Sequence, residues 1–332
     1  DATWEFASRV LSGDEVDELA GLWARALRAL AEHVRSDTTP GFTPSDFPLT
    51  AVSQDDVDNW LREYPSMTDV WPLTALQSGL LFHTIYDRDG DDGYIVQAAL
   101  TFAGQVDGER MRRAAQALID RHDSLRTAFV ESADGPRQIV LRDTEVDWDE
   151  SSLTDVDQQP AALRRLAAAA AAPFDPARPP LVRFHLVRTG VDMFQLLVTN
   201  HHLVLDGWSM PLLIHELLAL YTSDCDTAEF APPRSYREYL QWLQSQDRDA
   251  ATAAWREMLA GIDSPTRVTS GPDRTVTQAG EVGLNLDART TAAILELGRS
   301  HGVTANTALQ VAWALLVAVL TGRSDVVFGN TL

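Results

Sequence analysis

The chain has 332 residues, 45% hydrophobic and 23% charged, enough apolar material for roughly two domains of ~150 residues, and it is not a disordered chain. Lys plus Arg number 27, every one an arginine, against 48 Asp plus Glu, for a net charge of −21. Such acidity excludes a typical nucleic-acid binder, which needs a basic surface to displace counterions, and disfavours docking on anionic lipid. A single cysteine, Cys225, leaves no internal disulfide and no cysteine-based zinc site. No basic segment followed by an apolar stretch opens the chain, so no signal peptide is visible, and a cytoplasmic protein is expected. The longest apolar run, residues 308–320, is too short to span a bilayer and reads as a buried helix.

In chain order, Trp4, Glu5 and Phe6 suggest a short strand, followed by a helix over residues 14–33 with apolar residues every three or four positions. Residues 35–48 are polar and proline-bearing and read as a boundary. A short helix over 53–63 precedes a helix over 73–85, a strand over 94–102 and a helix over 108–122. Residues 128–131 and 138–141 form a hairpin around Asp134, Gly135 and Pro136. After an alanine-rich helix at 167–172, strands over 181–187 and 193–199 are joined by a five-residue loop that includes Gly190. Helices over 209–221 and 235–259 come next. Beyond a Gly- and Pro-rich stretch the pattern restarts with a strand at 282–286, helices at 290–302 and 304–320, and a strand at 326–328. The spacing predicts an α+β chain with two lobes.

The sharpest feature is the run His201, His202, Leu203, Val204, Leu205, Asp206, Gly207, placed between a strand and a helix. Successive side chains in an extended chain point to opposite faces, so one imidazole faces the core and the other a cleft. An imidazole held in a cleft is the commonest general base near neutral pH. Asp206 returns through a tight turn, for which Gly207 offers backbone freedom. Two other readings stand beside this one: an incidental structural His pair, and a metal site built on His201, His202 and Asp206. Adjacent histidines diverge, and no nearby His or Glu completes a tetrahedral set, which disfavours metal.

These residues resemble the His-His-x-x-x-Asp-Gly motif of the condensation domains of nonribosomal peptide synthetases, in the chloramphenicol acetyltransferase-like superfamily. Four further stretches resemble the family's other motifs in the family's order. They are Trp71 to His83, Arg121 to Phe129, Ser235 to Trp242, and Val326 to Thr331. The resemblance covers residues 70–332 and implies a two-lobed fold with a central cleft or tunnel. It implies an acyltransferase of antibiotic biosynthesis that joins a donor aminoacyl or peptidyl thioester to an acceptor amine. No cofactor is bound directly; both substrates ride on 4'-phosphopantetheine arms of partner carrier domains, upstream donor and downstream acceptor. The partners implied are those carriers and neighbouring epimerization and adenylation domains, with no nucleic acid and no membrane.

Asp206-Gly207-Trp208-Ser209-Met210, together with residues 76–83, resembles the subtype that follows an epimerization domain and takes a D-configured donor and an L-configured acceptor. Residues 4–47 resemble the tail of such an upstream domain. The division expected is therefore 1–48 as an upstream tail, 49–70 as a linker, 71–260 as the first lobe, and 261–332 as the start of a second lobe. Family members are longer, so the second lobe is expected to be incomplete and the piece alone to turn over little. By the resemblance His202 is the central residue, as base or as positioner, and Gly207 offers its N–H to the developing oxyanion. His201 supports it, and Asp206 is structural, with Arg126 as its expected ion-pair partner. Ser209 caps the following helix; Trp208, Ser209 and Met210 are the expected substrate-binding residues, with Trp208 and Met210 lining the acceptor side or the core. An epimerase, or a non-catalytic recruitment domain of the same fold, is the alternative.

Overall fold

The computed structural model describes residues 2–35, 41–86, 93–153, 159–227, 230–268 and 282–330. Helix α1 (Gly13–Arg35) exposes most of its apolar stripe, and the strand expected over residues 4–6 is irregular, exposed chain. Helix α2 (Gln54–Glu63) starts where predicted: Ser53 accepts a hydrogen bond from the Asp56 amide, and the Asp56 carboxylate bonds back to Ser53.

A three-stranded antiparallel sheet has the order β1 (Met67–Pro72), β4 (Arg137–Leu141), β3 (Thr127–Val130). Phe47, Val57 and Trp60 pack with Val70, Ala128 and Ile139, so the chain from Phe47 through α2 lies against this sheet. The β3–β4 hairpin falls where the Asp134-Gly135-Pro136 turn predicts it. Strand β1 is not among the predicted elements, because Asp69 and Pro72 interrupt its apolar pattern.

A second sheet has the order β2 (Ile95–Ala103), β7 (Met193–His201), β6 (Val182–Arg188), β5 (Asp147–Ser152). Only β5 runs parallel to its neighbour; the other pairs are antiparallel. Strand β5 is polar and lies at the edge, which hides it from any apolar period. Strand β7 is central, and all six residues from Leu196 to His201 are buried. Helices α4 (Gly108–Arg121) and α6 (Ser209–Thr222) cover one face, with Met111, Leu118, Leu213 and Leu217 against Phe184, Leu196 and Val198. Helix α3 (Ala75–Tyr86) and Phe174 pack beside the end of β7. Helix α5 (Gln159–Ala170) begins earlier than its alanine run.

The single helix expected over 235–259 is two, α7 (Tyr236–Gln244) and α8 (Arg248–Met258), because Asp247 caps a new helix through the Ala250 amide. Helices α9 (Ala288–His301) and α10 (Ala305–Thr321) are bent by 103° at their junction, where Gly302 takes the left-handed conformation. Residues 282–286 and 326–328 form no strand with any described residue. No single described helix is long and apolar enough to cross a membrane.

Helices α4 and α6 are pinned by Glu216, whose carboxylate meets Arg121 Nε at 2.6 Å and His122 Nε2 at 2.7 Å. Burial pushes the Glu216 carboxyl up, but the bonds from Arg121 and His122 outweigh it and hold the group below its usual range. A depressed folded value stabilises the fold above the ordinary value of 4.5 and loses that stabilisation as pH falls through the lower one. Glu216→Gln is therefore expected to cost about 1.5 kcal/mol at pH 7, and to flatten the acid limb of urea unfolding.

Candidate functional site

Strand β7 delivers the site. The His201 amide donates to the Leu181 carbonyl at 3.0 Å and the His202 amide to the Tyr94 carbonyl at 2.9 Å, so strand-like anchoring runs one residue past β7. His201 is fully buried. Its Nδ1 accepts the Leu203 N–H at 3.0 Å, and its Nε2 lies 3.1 Å from Thr84 Oγ1. The Thr84 hydroxyl donates to the Leu80 carbonyl, so its oxygen is left to accept from Nε2–H. His201 thereby carries its proton on Nε2.

His202 is partly exposed and carries the opposite tautomer. Its Nδ1 lies 3.0 Å from the Leu205 carbonyl, which only accepts, so Nδ1 bears the proton. Nε2 makes no hydrogen bond with a described residue and keeps a free lone pair. The two rings diverge as strand geometry predicts: one in the core, one open.

The turn after His202 is held from both ends. Asp206 Oδ1 accepts from the Ser209 amide at 2.7 Å and its hydroxyl at 2.6 Å, and the Asp206 carbonyl accepts from the Met210 amide. These Ser209 hydrogen bonds hold the Asp206 carboxyl below its usual range despite partial burial. Asp206 thus receives the first N–H of α6 from the preceding turn, whereas Ser209, expected to cap the helix, is its first residue and donates to Asp206. Gly207 is exposed, lies outside the left-handed region, and a Cβ there would meet nothing within 4 Å. The chain's own sterics do not require glycine at this turn; its backbone simply borders open space. Trp208 is 74% exposed, whereas Met210 packs against the core between α4 and α6, so the two diverge.

The expected Arg126–Asp206 pair does not form. Arg126 is buried and donates through Nε to the Ile119 carbonyl at 3.1 Å, and through one terminal nitrogen to Leu141 and Arg142. Its other terminal nitrogen meets Asp123 at 2.5 Å. It ties the end of α4 to the end of β4, because unpaired carbonyls there carry the cost that its guanidinium relieves. Asp206 needs no cation, since Ser209 and the mouth of α6 already receive its charge.

Two further residues, not among those expected at the site, also shape it. Gln77, buried on α3, donates to the Leu203 carbonyl at 3.0 Å and to Gln138 Oε1 at 3.1 Å. Gln138 in turn donates to the Pro72 carbonyl at 2.7 Å. A glutamine on the apolar face of a helix is the signal that marks such an anchor. No group of three metal-ligating side chains occurs among the described residues.

The family model described as "Condensation domain" matches residues 67–332. The chain is 35% identical over 341 residues to one component of the linear gramicidin synthase of Brevibacillus parabrevis, covering 99% of this chain and 4% of that protein. It is 30% identical to bacitracin synthase 3 of Bacillus licheniformis, covering 98% and 5% respectively. The chain thus spans about one twentieth of these relatives' length. Among solved structures, the first condensation domain of the CDA synthetase matches at a TM-score of 0.62, 20% identity, and 77% and 62% of the two chains. The condensation domain from Monacolin K polyketide synthase MokA gives 0.62, 20%, 78% and 61%. The fold is that of these two-lobed, chloramphenicol acetyltransferase-like domains.

Removing either anchor has a distinct expected cost. Arg126→Ala should destabilise by about 3 kcal/mol or more, because it strips several buried carbonyls of their donor. Asp123→Ala, whose side chain is 40% exposed, should cost under about 1 kcal/mol. Urea unfolding of both variants measures the difference.

Proposed function

The chain belongs to the condensation-domain family, and from that premise we propose that it forms an amide between a donor aminoacyl or peptidyl thioester and an acceptor aminoacyl amine. Both substrates are carried on the 4'-phosphopantetheine arms of carrier domains, upstream for the donor and downstream for the acceptor. The observation that carries this reading is the free Nε2 lone pair of His202, with Nδ1–H spent on the Leu205 carbonyl.

In this scheme the acceptor amine donates a hydrogen bond to Nε2 and attacks the thioester carbon. The C–N bond forms, and Nε2 takes the proton the amine sheds. The tetrahedral oxyanion sits by the Gly207 N–H, which makes no hydrogen bond with a described residue and borders open space. The C–S bond then breaks and the thiol sulfur leaves with that proton. Holding amine and thioester together supplies much of the acceleration. Asp206, bonded to Ser209, sets the turn and touches no substrate. An epimerase is the second reading; it needs a second acid–base group across the substrate from His202, and none is assigned in this chain.

Residues 76–83 and 206–210 support assigning the chain to the subtype that takes a D-configured donor and an L-configured acceptor. We assign residues 1–48 to the tail of a preceding epimerization-like domain, 49–70 to the linker, 71–260 to the first lobe and 261–332 to the second. The exposed apolar stripe of α1, with Leu22, Trp23 and Leu27 about 45% exposed, fits a helix that belongs to another domain's core.

The test loads donor and acceptor carriers with defined aminoacyl groups and measures amide product within the full synthetase polypeptide. His202→Ala is expected to lower the rate about 10²–10⁴-fold, with a D-configured donor preferred in the unaltered protein. An unchanged rate removes His202 from the reaction, and α-proton exchange without coupling replaces condensation with epimerization.

A further inference from the structure

Leu203, Val204 and Leu205, the three residues after His202, form one wall of a cavity of about 250 Å³. Ser124, Leu212 and Tyr236 also line it. A cavity of roughly 150 Å³ lined by aliphatic and aromatic side chains already holds benzene, so this one has room for a substituted ring or a branched chain. Six of its twelve lining residues are aliphatic; Gln77, Gln138 and the Ser209 hydroxyl already donate within the protein, which leaves the hydroxyls of Ser124 and Tyr236 for a ligand. Ser124 Oγ and Tyr236 Oη make no hydrogen bond with a described residue. Burial, then the nearby Tyr239 and Asp206, push the Tyr236 phenol up to about 12, so it stays a donor at neutral pH. The one imidazole in the lining, His122, is already bonded to Glu216, and no unpaired charge faces the space.

The wall is also the part of the chain that orients the reactive imidazole. Leu203 and Leu205 border the cavity while their carbonyls are bonded to Gln77 and His202. The cavity and the hydrogen bond that sets the His202 tautomer thus share one segment of chain.

We propose that this cavity is a binding pocket for an uncharged, side-chain-sized group, aliphatic or aromatic, ending in one hydrogen-bonding group, and that its occupancy steadies the His202 loop. Ser124 and Tyr236 meet the polar end, and the leucines and Val204 meet the apolar body. Two sources supply this chemistry: the side chain of an aminoacyl thioester reacting at His202, or a free small molecule. The first source rests on the amide-forming reading; the pocket itself does not.

The probe is p-cresol, a neutral ring with one hydroxyl, titrated into the intact polypeptide and followed by ligand-observed NMR. Saturable binding is expected, lost about tenfold or more in Ser124→Leu, whose larger side chain fills the space, and weakened in Tyr236→Phe, which only deletes a hydroxyl. Circular dichroism and melting confirm that both variants are folded. In parallel, carrier-bound tyrosine and glycine are compared as acceptors. A tyrosine-to-glycine rate ratio that falls about tenfold in Ser124→Leu assigns the pocket to the substrate side chain. An unchanged ratio with lost p-cresol binding assigns it to a free ligand. No saturable p-cresol binding together with an unchanged ratio overturns the pocket. If the unaltered protein couples no acceptor at all, the amide-forming reading fails, and p-cresol binding alone decides the pocket.

Discussion

One hydrogen bond, from Nδ1–H of His202 to the carbonyl of Leu205, determines which nitrogen of the imidazole is free to act. A carbonyl accepts and never donates, so the bond fixes the tautomer as well as the ring's direction. Everything around it holds that carbonyl in place. Gln77 grips Leu203, Asp206 clamps the far end of the turn to α6, and His201 anchors the near end in the core. The two adjacent histidines carry their protons on opposite nitrogens because each meets a different partner: a backbone carbonyl for one, a threonine oxygen and a backbone N–H for the other.

The scaffold that permits this is the buried end of β7. A strand buried along its last six residues has little freedom to slip, since a one-residue shift would move His201 out of the core and His202 into it. Pairing with Ile95 on one side and the Leu181 carbonyl on the other fixes the register at His201 itself. The clamp at Arg126 works at a distance from the imidazole, closing the ends of α4 and β4, and its contribution is to the fold that carries the loop.

Much of this is legible in the amino-acid order. Strands β6 and β7 and helices α4 and α6 announce themselves by long apolar periods, and the loop between β7 and α6 carries its own signature in His201, His202, Asp206 and Gly207. The divergence of the two imidazoles follows from strand geometry alone. Partners across the fold do not. Nothing local says that Arg126 chooses Asp123 and three carbonyls over Asp206, because the choice depends on where helix ends fall in space. Gln77 stands out as a glutamine among apolar helix residues, but which carbonyl it holds shows only in the fold. The polar edge strand β5 and the proline-ended β1 lack any apolar alternation, so tertiary pairing alone makes them strands. The expected strands at 282–286 and 326–328 are apolar enough, but they pair with no described neighbour.

The most direct test of the account is the nitrogen NMR spectrum of His202, assigned by comparison with a His202→Gln variant and recorded at mildly alkaline pH. The imidazole is expected to show a protonated Nδ1 and a bare, pyridine-like Nε2. A proton on Nε2, with Nδ1 bare, would mean that the Leu205 carbonyl does not hold the ring, and the reactive lone pair would then lie on the wrong nitrogen.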